Sequence, residues 1–306
     1  MLFVDGVGLG NPDPVTNPFF CARLPAFTSL YGGALPSLEY AFHSSGTTTC
    51  VPLDANLGVE GLPQSGTGQT ALFTGVNAAQ LIGKHFGPYP YSTLRPIIVE
   101  KNLFKQLLHS GKRPFFANAY PQRFFDYMEK HPGRMSVTAL SYTGCNLPLL
   151  RAEDLAADKG ISADITSQGW GHLGYPDIPS IIPQEAGKRL VRFLGENDLV
   201  LFEYWLTDRA GHSEKMADAV NALERFDALL EGILSSMDVS NTLLVLTSDH
   251  GNIEDMSTKS HTRNPVPLVL FGHKHDSVAR TIQLSSPTTP DLTAVTPAIL
   301  EFLAQK

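Results

Sequence analysis

Seven residues stand out because their types and places suit metal-assisted chemistry. Asp5 directly follows the apolar run LFV, and Asp208 and His212 lie at positions i and i+4 in EYWLTDRAGH. Asp249 and His250 are adjacent in LTSDHGN, and His261 returns in SHTRNPVP. Ser65 sits among glycines in GLPQSGTGQTALFTG, just ahead of an apolar helical run. A hydroxyl at a helix start has N–H groups around it and a dipole that favours an anion. Ligands of open α/β sheets gather at the carboxyl ends of strands, where each of these segments falls.

Three carboxylates and three imidazoles are too many ligands for one divalent ion and suit two. Oxygen and nitrogen ligation without thiolate points to Mn2+ or Zn2+, with Mg2+ as a further choice, rather than Ca2+. No organic cofactor is expected. Two such ions would leave the site slightly positive, so that it attracts phosphate and stabilises added negative charge. A serine hydroxyl is a weak nucleophile at neutral pH, and metal coordination is one way to activate it. The chemistry predicted is phosphoryl transfer through a phosphoserine at Ser65, with release to water or to another hydroxyl.

The elements that must position these residues are short and alternate. Apolar β-rich runs at 2–4, 115–119, 198–205, 242–248 and 266–271 read as buried parallel strands. Helical patterns alternate with them at 102–111, at 213–237 behind a serine cap, and at 290–304. The expected fold class is α/β, a doubly wound, mostly parallel sheet flanked by helices, with an inserted smaller cap domain. Residues 1–82 and 184–306 are expected to form the two-metal domain. Residues 83–183, rich in proline, glycine and aromatics, are expected to form the cap that reads the substrate.

Bulk properties narrow the class. The 306 residues are 42% hydrophobic, enough for a large core, and the formal net charge of -7 argues against a nucleic-acid surface. Cys21, Cys50 and Cys145 are scattered without a C-x-x-C pair, and MLFVDGVGLG has no basic leader, so a cytoplasmic protein is expected. No apolar run is long enough to span a bilayer. The expected partner is a small phosphorylated metabolite, with no nucleic acid and no membrane. Lys84, His85, Arg123 and Arg263 are candidate contacts to the substrate phosphate.

The ordered set VDG, SGTGQ, TDRAGH, SDHGN and SHTRNPVP resembles the alkaline phosphatase superfamily of two-metal phosphotransferases. Within it the resemblance is to the branch of cofactor-independent phosphoglycerate mutase and phosphopentomutase, over residues 1–82 and 195–306. It implies an alkaline phosphatase-like fold, with Asp5, Ser65, Asp249 and His250 around one metal and Asp208, His212 and His261 around the other. It implies Ser65 as nucleophile, with Thr67 as the competing hydroxyl and Gln69, Asn252 and Thr262 orienting ligands. Gly68-Gln69 stands where the mutases have Gly-His. The middle segment is also shorter than their second domain and lacks its arginine-rich pattern. The expectation is therefore a phosphatase or phosphomutase, not phosphoglycerate mutase activity itself. The alternative is a phosphodiesterase or nucleotide pyrophosphatase, with Phe86, Tyr89, Tyr91, Phe124 or Phe125 stacking on a base. A catalytically silent metal-binding relative is a third reading.

Overall fold

The computed structural model describes residues 1–305. Nine strands occur among them: β1 (Leu2–Val4), β2 (His43–Ser45), β3 (Thr48–Leu53), β4 (Pro114–Phe116), β5 (Asn118–Ala119), β6 (Ile161–Ser162), β7 (Leu199–Tyr204), β8 (Leu243–Thr247) and β9 (Val266–Gly272). Seven form one sheet in the order β2-β3-β9-β8-β1-β7-β4, and β5 pairs with β6 separately. β4, β7, β1 and β8 are mutually parallel, β9 is antiparallel to β8, β3 to β9, and β2 to β3. Thus β3, β8, β1, β7 and β4 share one direction, and the sheet is mostly parallel.

Side-chain alternation along the strands separates two cores. Phe3, Val51, Leu53, Leu201, Val245 and Leu268 face one side, against helices Ser65–Thr74, Leu103–His109, Val137–Thr143, His275–Leu284 and Val295–Ala304. Leu2, Val4, Val200, Phe202, Leu244 and Leu246 face the other, against helices Pro25–Leu30, Pro183–Phe193 and Met216–Leu234. Both faces are covered, which explains the near-continuous apolarity of β7 and β8. Phe3 is fully buried and meets Phe73 edge-to-face, ring centroids 5.4 Å apart. Burying one such ring contributes roughly 1.5–3 kcal/mol. Here it ties the central strand to the helix that begins at Ser65.

Several expectations are corrected. The run at 266–271 forms β9, but antiparallel to its neighbour. Residues 248–265 contain no helix. Without a crossover the chain re-enters the sheet where β8 ended, so it must run back. β2 and β3 were not anticipated. The run at 115–119 splits, with Pro114–Phe116 on the edge of the main sheet and Asn118–Ala119 on the small sheet. Residues 83–183 are consequently not one separate insert. β4 pairs with β7, and Leu94, Ile98, Leu103, Phe104 and Val137 share the main core. Only Ala119, Ala152, Leu155 and Trp170 form a satellite cluster. Ser213 does not cap the long helix. It closes helix Leu206–Ser213, after which Glu214 turns left-handed (φ 54°) and helix Met216–Leu234 begins. No helix among the described residues is long and apolar enough to cross a membrane.

Candidate metal centre

The strand register assembles the site. β1 lies between β7 and β8, with Val4 opposite Tyr204 and Phe3 opposite Thr247. Asp5, the turn at Trp205 and the Ser248–Asp249 turn therefore leave the sheet along one edge. Asp208 and His212 follow on helix Leu206–Ser213, where i and i+4 side chains share a face. Helix Ser65–Thr74 opens with Ser65 at its first position. A Cβ on Gly68 would come within 2.6 Å of the Asp249 carbonyl oxygen, and one on Gly66 within 2.3 Å of the Tyr89 carbonyl oxygen. The two glycines of SGTGQ are there because the helix start is wedged between the Asp249 turn and the 86–89 loop.

Two groups of possible ligand atoms result, each lying within 4.8 Å of one another: Asp5, Asp249 and His250, and Asp208, His212 and His261. In the first, His250 Nε2 lies 3.3 Å from Asp5 Oδ1, 3.6 Å from Asp249 Oδ2 and 3.0 Å from Ser65 Oγ. In the second, Asp208 lies 3.4 Å from His212 Nε2 and 3.6 Å from His261 Nε2. The His250 and His261 rings stack at 3.8 Å, so the groups adjoin.

These residues fit divalent ions. His212 Nδ1 lies 2.7 Å from the Lys259 carbonyl oxygen, and His261 Nδ1 2.7 Å from that of Pro63. A carbonyl only accepts, so both Nδ1 atoms carry hydrogen and both Nε2 atoms present lone pairs in the neutral rings. Those Nε2 atoms converge to 3.2 Å, an arrangement that a cation between them and Asp208 would relieve. Asp5 Oδ1 is buried without a hydrogen-bond partner.

The electrostatics agree. Burial, then the neighbouring Asp249, Asp208 and Glu203, raises the Asp5 carboxyl well above its ordinary range. Burial, then Asp208, pushes Asp249 up to about 7. Burial, then His261, holds His250 down at about 3, so its ring is neutral. Crowded carboxylates beside neutral imidazoles are the charge pattern that bound cations compensate.

The orienting candidates divide. Gln69 Nε2 donates to Asp5 Oδ2 at 3.3 Å and to Asp249 Oδ2 at 3.1 Å. Asn252 Nδ2 donates to Asp208 Oδ1 at 2.7 Å. Thr262 reaches the centre indirectly, because its hydroxyl donates to Glu254, which also accepts from the Gly8 and Asn252 N–H groups. Thr67 turns away. Its hydroxyl donates to the Gln64 carbonyl and accepts from Phe86 N–H, while its own N–H is taken by the Phe86 carbonyl. The expectation of open N–H groups at this helix start is therefore corrected at Thr67.

Above the centre lies a cleft of about 830 Å³, with Asp5, Ser65, Gln69, Glu203 and Asp208 in its floor. Of the basic candidates, Arg123 lines it. Lys84, His85 and Arg263 do not: Lys84 lies over the Tyr91 ring, His85 bonds the Val59 carbonyl, and Arg263 is exposed elsewhere. Of the aromatic candidates, Tyr89 and Phe124 line the cleft, whereas Phe86, Tyr91 and Phe125 do not. Sequence reasoning passed over Glu203, Glu254, Arg134, Arg209 and Trp205. Glu203 accepts from the Thr138 hydroxyl at 2.5 Å, and burial raises it to about 7. A lone carboxylate inside LVLFEYW was the available signal for it. Glu254 gave none beyond its place in SDHGNIED.

Residues 179–306 match the Metalloenzyme superfamily. A 2,3-bisphosphoglycerate-independent phosphoglycerate mutase of Streptomyces coelicolor is 32% identical over 145 residues, 44% of this chain and 26% of that one. One from Saccharolobus solfataricus is 33% identical over 84 residues, 28% of this chain and 20% of that one. The matched stretches thus span about a quarter or less of these relatives. Among solved structures, the PH0037 protein of Pyrococcus horikoshii covers 100% of this chain and 96% of its own, with TM-score 0.56 and 14% identity. The alkaline phosphatase of the Antarctic bacterium TAB5 covers 99% of this chain and 96% of its own, with TM-score 0.50 and 13% identity. At those identities the likeness is one of fold.

Proposed function

We propose that this chain, whose residues 179–306 match the Metalloenzyme superfamily and whose fold is like that of an alkaline phosphatase, is a phosphohydrolase acting on a small phosphomonoester through a phosphoserine at Ser65. The observation that carries the reading is Ser65 Oγ, 3.0 Å from His250 Nε2 in the first ligand group, whose His250 ring stacks on His261 of the second. Asp5, Asp249 and His250 with Ser65 would hold one divalent ion, and Asp208, His212 and His261 the other. When bound, the ions supply charge neutralisation, a lowered serine pKa and Lewis-acid contacts to phosphate and leaving oxygens.

The chain's own groups do the rest. Without metal, the Ser65 hydroxyl donates to the lone pair of His250 Nε2, because the His250 Nδ1 side faces the Gly251 carbonyl. The start of helix Ser65–Thr74 fixes Ser65 Oγ at the floor of the cleft. Its attack, with the hydroxyl proton lost to solvent, forms a Ser–O–P bond and breaks the ester P–O bond, whose electron pair leaves on the alcohol oxygen, which takes up a proton from water. A water then cleaves Ser–O–P and releases phosphate. Trp205 and Tyr127 in the cleft wall are 41% and 36% exposed, and this open mouth favours transfer to water over return to the product.

Replacing Ser65 with Ala should lower turnover by at least about 10³-fold while bound metal is retained. Phosphate release and metal content, measured on one preparation, check this. A variant that keeps both its metal and its turnover would sink the covalent route.

A further inference from the structure

The wall of the cleft carries features that phosphoryl transfer does not use. Trp205 follows β7 directly, in a stretch otherwise buried, yet it is 41% exposed. Large aromatic faces are costly to leave in water and are used where a ligand covers them. Tyr127 offers a second exposed ring, fixed by a 2.7 Å hydrogen bond from Arg134 to its hydroxyl. Behind them the wall is rigid. Tyr120 and Phe124 stack at 4.2 Å, and the buried Trp170 donates from Nε1 to Ser162 Oγ at 2.7 Å. Arg123 and Arg209 also line the cleft and form no ion pair among the described residues. A guanidinium of this kind stacks on flat rings and binds oxyanions.

Size points the same way. The cleft of about 830 Å³ lies toward the upper end of small-molecule sites, which span roughly 300–1,000 Å³. A three-carbon phosphate would fill a small part of it and leave the aromatic wall wet. We propose that the substrate is a phosphomonoester whose alcohol carries a flat aromatic ring of nucleoside type, seated against Trp205 and Tyr127 with its phosphate over Ser65. This inference rests on the phosphoryl-transfer reading for where the phosphate lies, but the ring site has its own readout.

That readout is equilibrium binding. The chain has two tryptophans, Trp170 and Trp205, and both line the cleft, so tryptophan fluorescence reports on it. Manganese-loaded Ser65→Ala protein would be titrated with a nucleoside 5′-monophosphate and with glycerol 3-phosphate, by fluorescence and by calorimetry. The nucleotide should bind about 10-fold or more tightly, as ring stacking on an aromatic side chain implies. Adding Trp205→Ala should remove most of that advantage and leave glycerol 3-phosphate unchanged, and Trp205→Phe should restore part of it. Metal content and melting temperature verify that each variant is folded. Equal affinity for the two esters, or equal weakening of both by Trp205→Ala, would overturn the proposal. Full turnover by Ser65→Ala, with the nucleotide preference intact, would instead overturn the phosphoserine reading alone.

Discussion

The floor and the wall of the cleft are built in opposite ways. The floor comes from both ends of the chain, at the edges of three paired strands, with Asp249 and His250 fully buried. Gln69 holds two carboxylates there and Asn252 a third, while Asp5 Oδ1, Gln69 Oε1 and Asn252 Oδ1 are buried without a hydrogen-bond partner. Most of the wall comes from the middle of the chain, on short helices and loops around a two-stranded sheet, while Trp205 and Arg209 reach it from the end of β7 beside Asp208, and it exposes rings and guanidinium groups. The floor buries carboxyls and crowds them together, and burial first, then the neighbouring carboxylates, raises Asp5, Asp249 and Glu203. The wall crowds nothing. Chemistry that needs fixed geometry is placed on the sheet, and recognition is left to a surface that can differ without disturbing it.

The largest test of this contrast is Asp208→Ala. With His212 and His261 left without their carboxylate, one of the two metal equivalents should be lost. Turnover should fall by at least about 10³-fold. Metal analysis of the purified variant checks the first statement, and retention of both ions would break the assignment of Asp208 to the floor.

A second test concerns the stored charge cost. Glu203 is raised from the model-peptide value of 4.5 to about 7 by burial. The folded state therefore binds its proton more tightly than the unfolded chain. Its contribution to stability is complete below about pH 4.5 and is lost as the pH rises through about 7. In chelator, Glu203→Gln should match the parent near pH 5 and exceed it by up to about 3 kcal/mol near pH 8.5. Urea unfolding at the two pH values measures the difference. A difference independent of pH would show that Glu203 carries no such cost.

The smallest effect is expected at Gln69. Its amide bridges Asp5 and Asp249, so Gln69→Ala should weaken metal binding by about 10-fold without abolishing turnover in excess metal. Metal titration followed by activity distinguishes this from a role in the chemical step, which excess metal would not rescue.

How much of this was legible in the sequence follows the same division. Asp5, Ser65, Asp208, His212, Asp249, His250 and His261 could be picked out because strand-end motifs are local, and the structure brings all seven together. β9 was read with the wrong direction because direction depends on whether a crossover helix intervenes, and apolar periodicity is silent on that. The run at 115–119 reads both as a sheet strand and as part of the 83–183 cap, because Pro114–Phe116 is too short to announce which sheet it joins. Glu203 was missed although its run reads as a buried strand, because a lone carboxylate there belongs to no motif with the strand-end residues. Trp205 was absorbed into the strand LVLFEYW, although the strand ends one residue before it. Arg123 alone among the basic candidates reaches the cleft, since which loop overhangs the floor is decided by tertiary packing.

The central claim, that phosphate passes through Ser65, is tested most directly by rapid acid quench of the metal-loaded protein during turnover. Peptide mass analysis would follow. One phosphate on the peptide containing Ser65, formed and lost at rates compatible with turnover and absent in Ser65→Ala, is the predicted result. Steady turnover with that peptide unmodified at every quench time, or with the phosphate on Thr67, would contradict it.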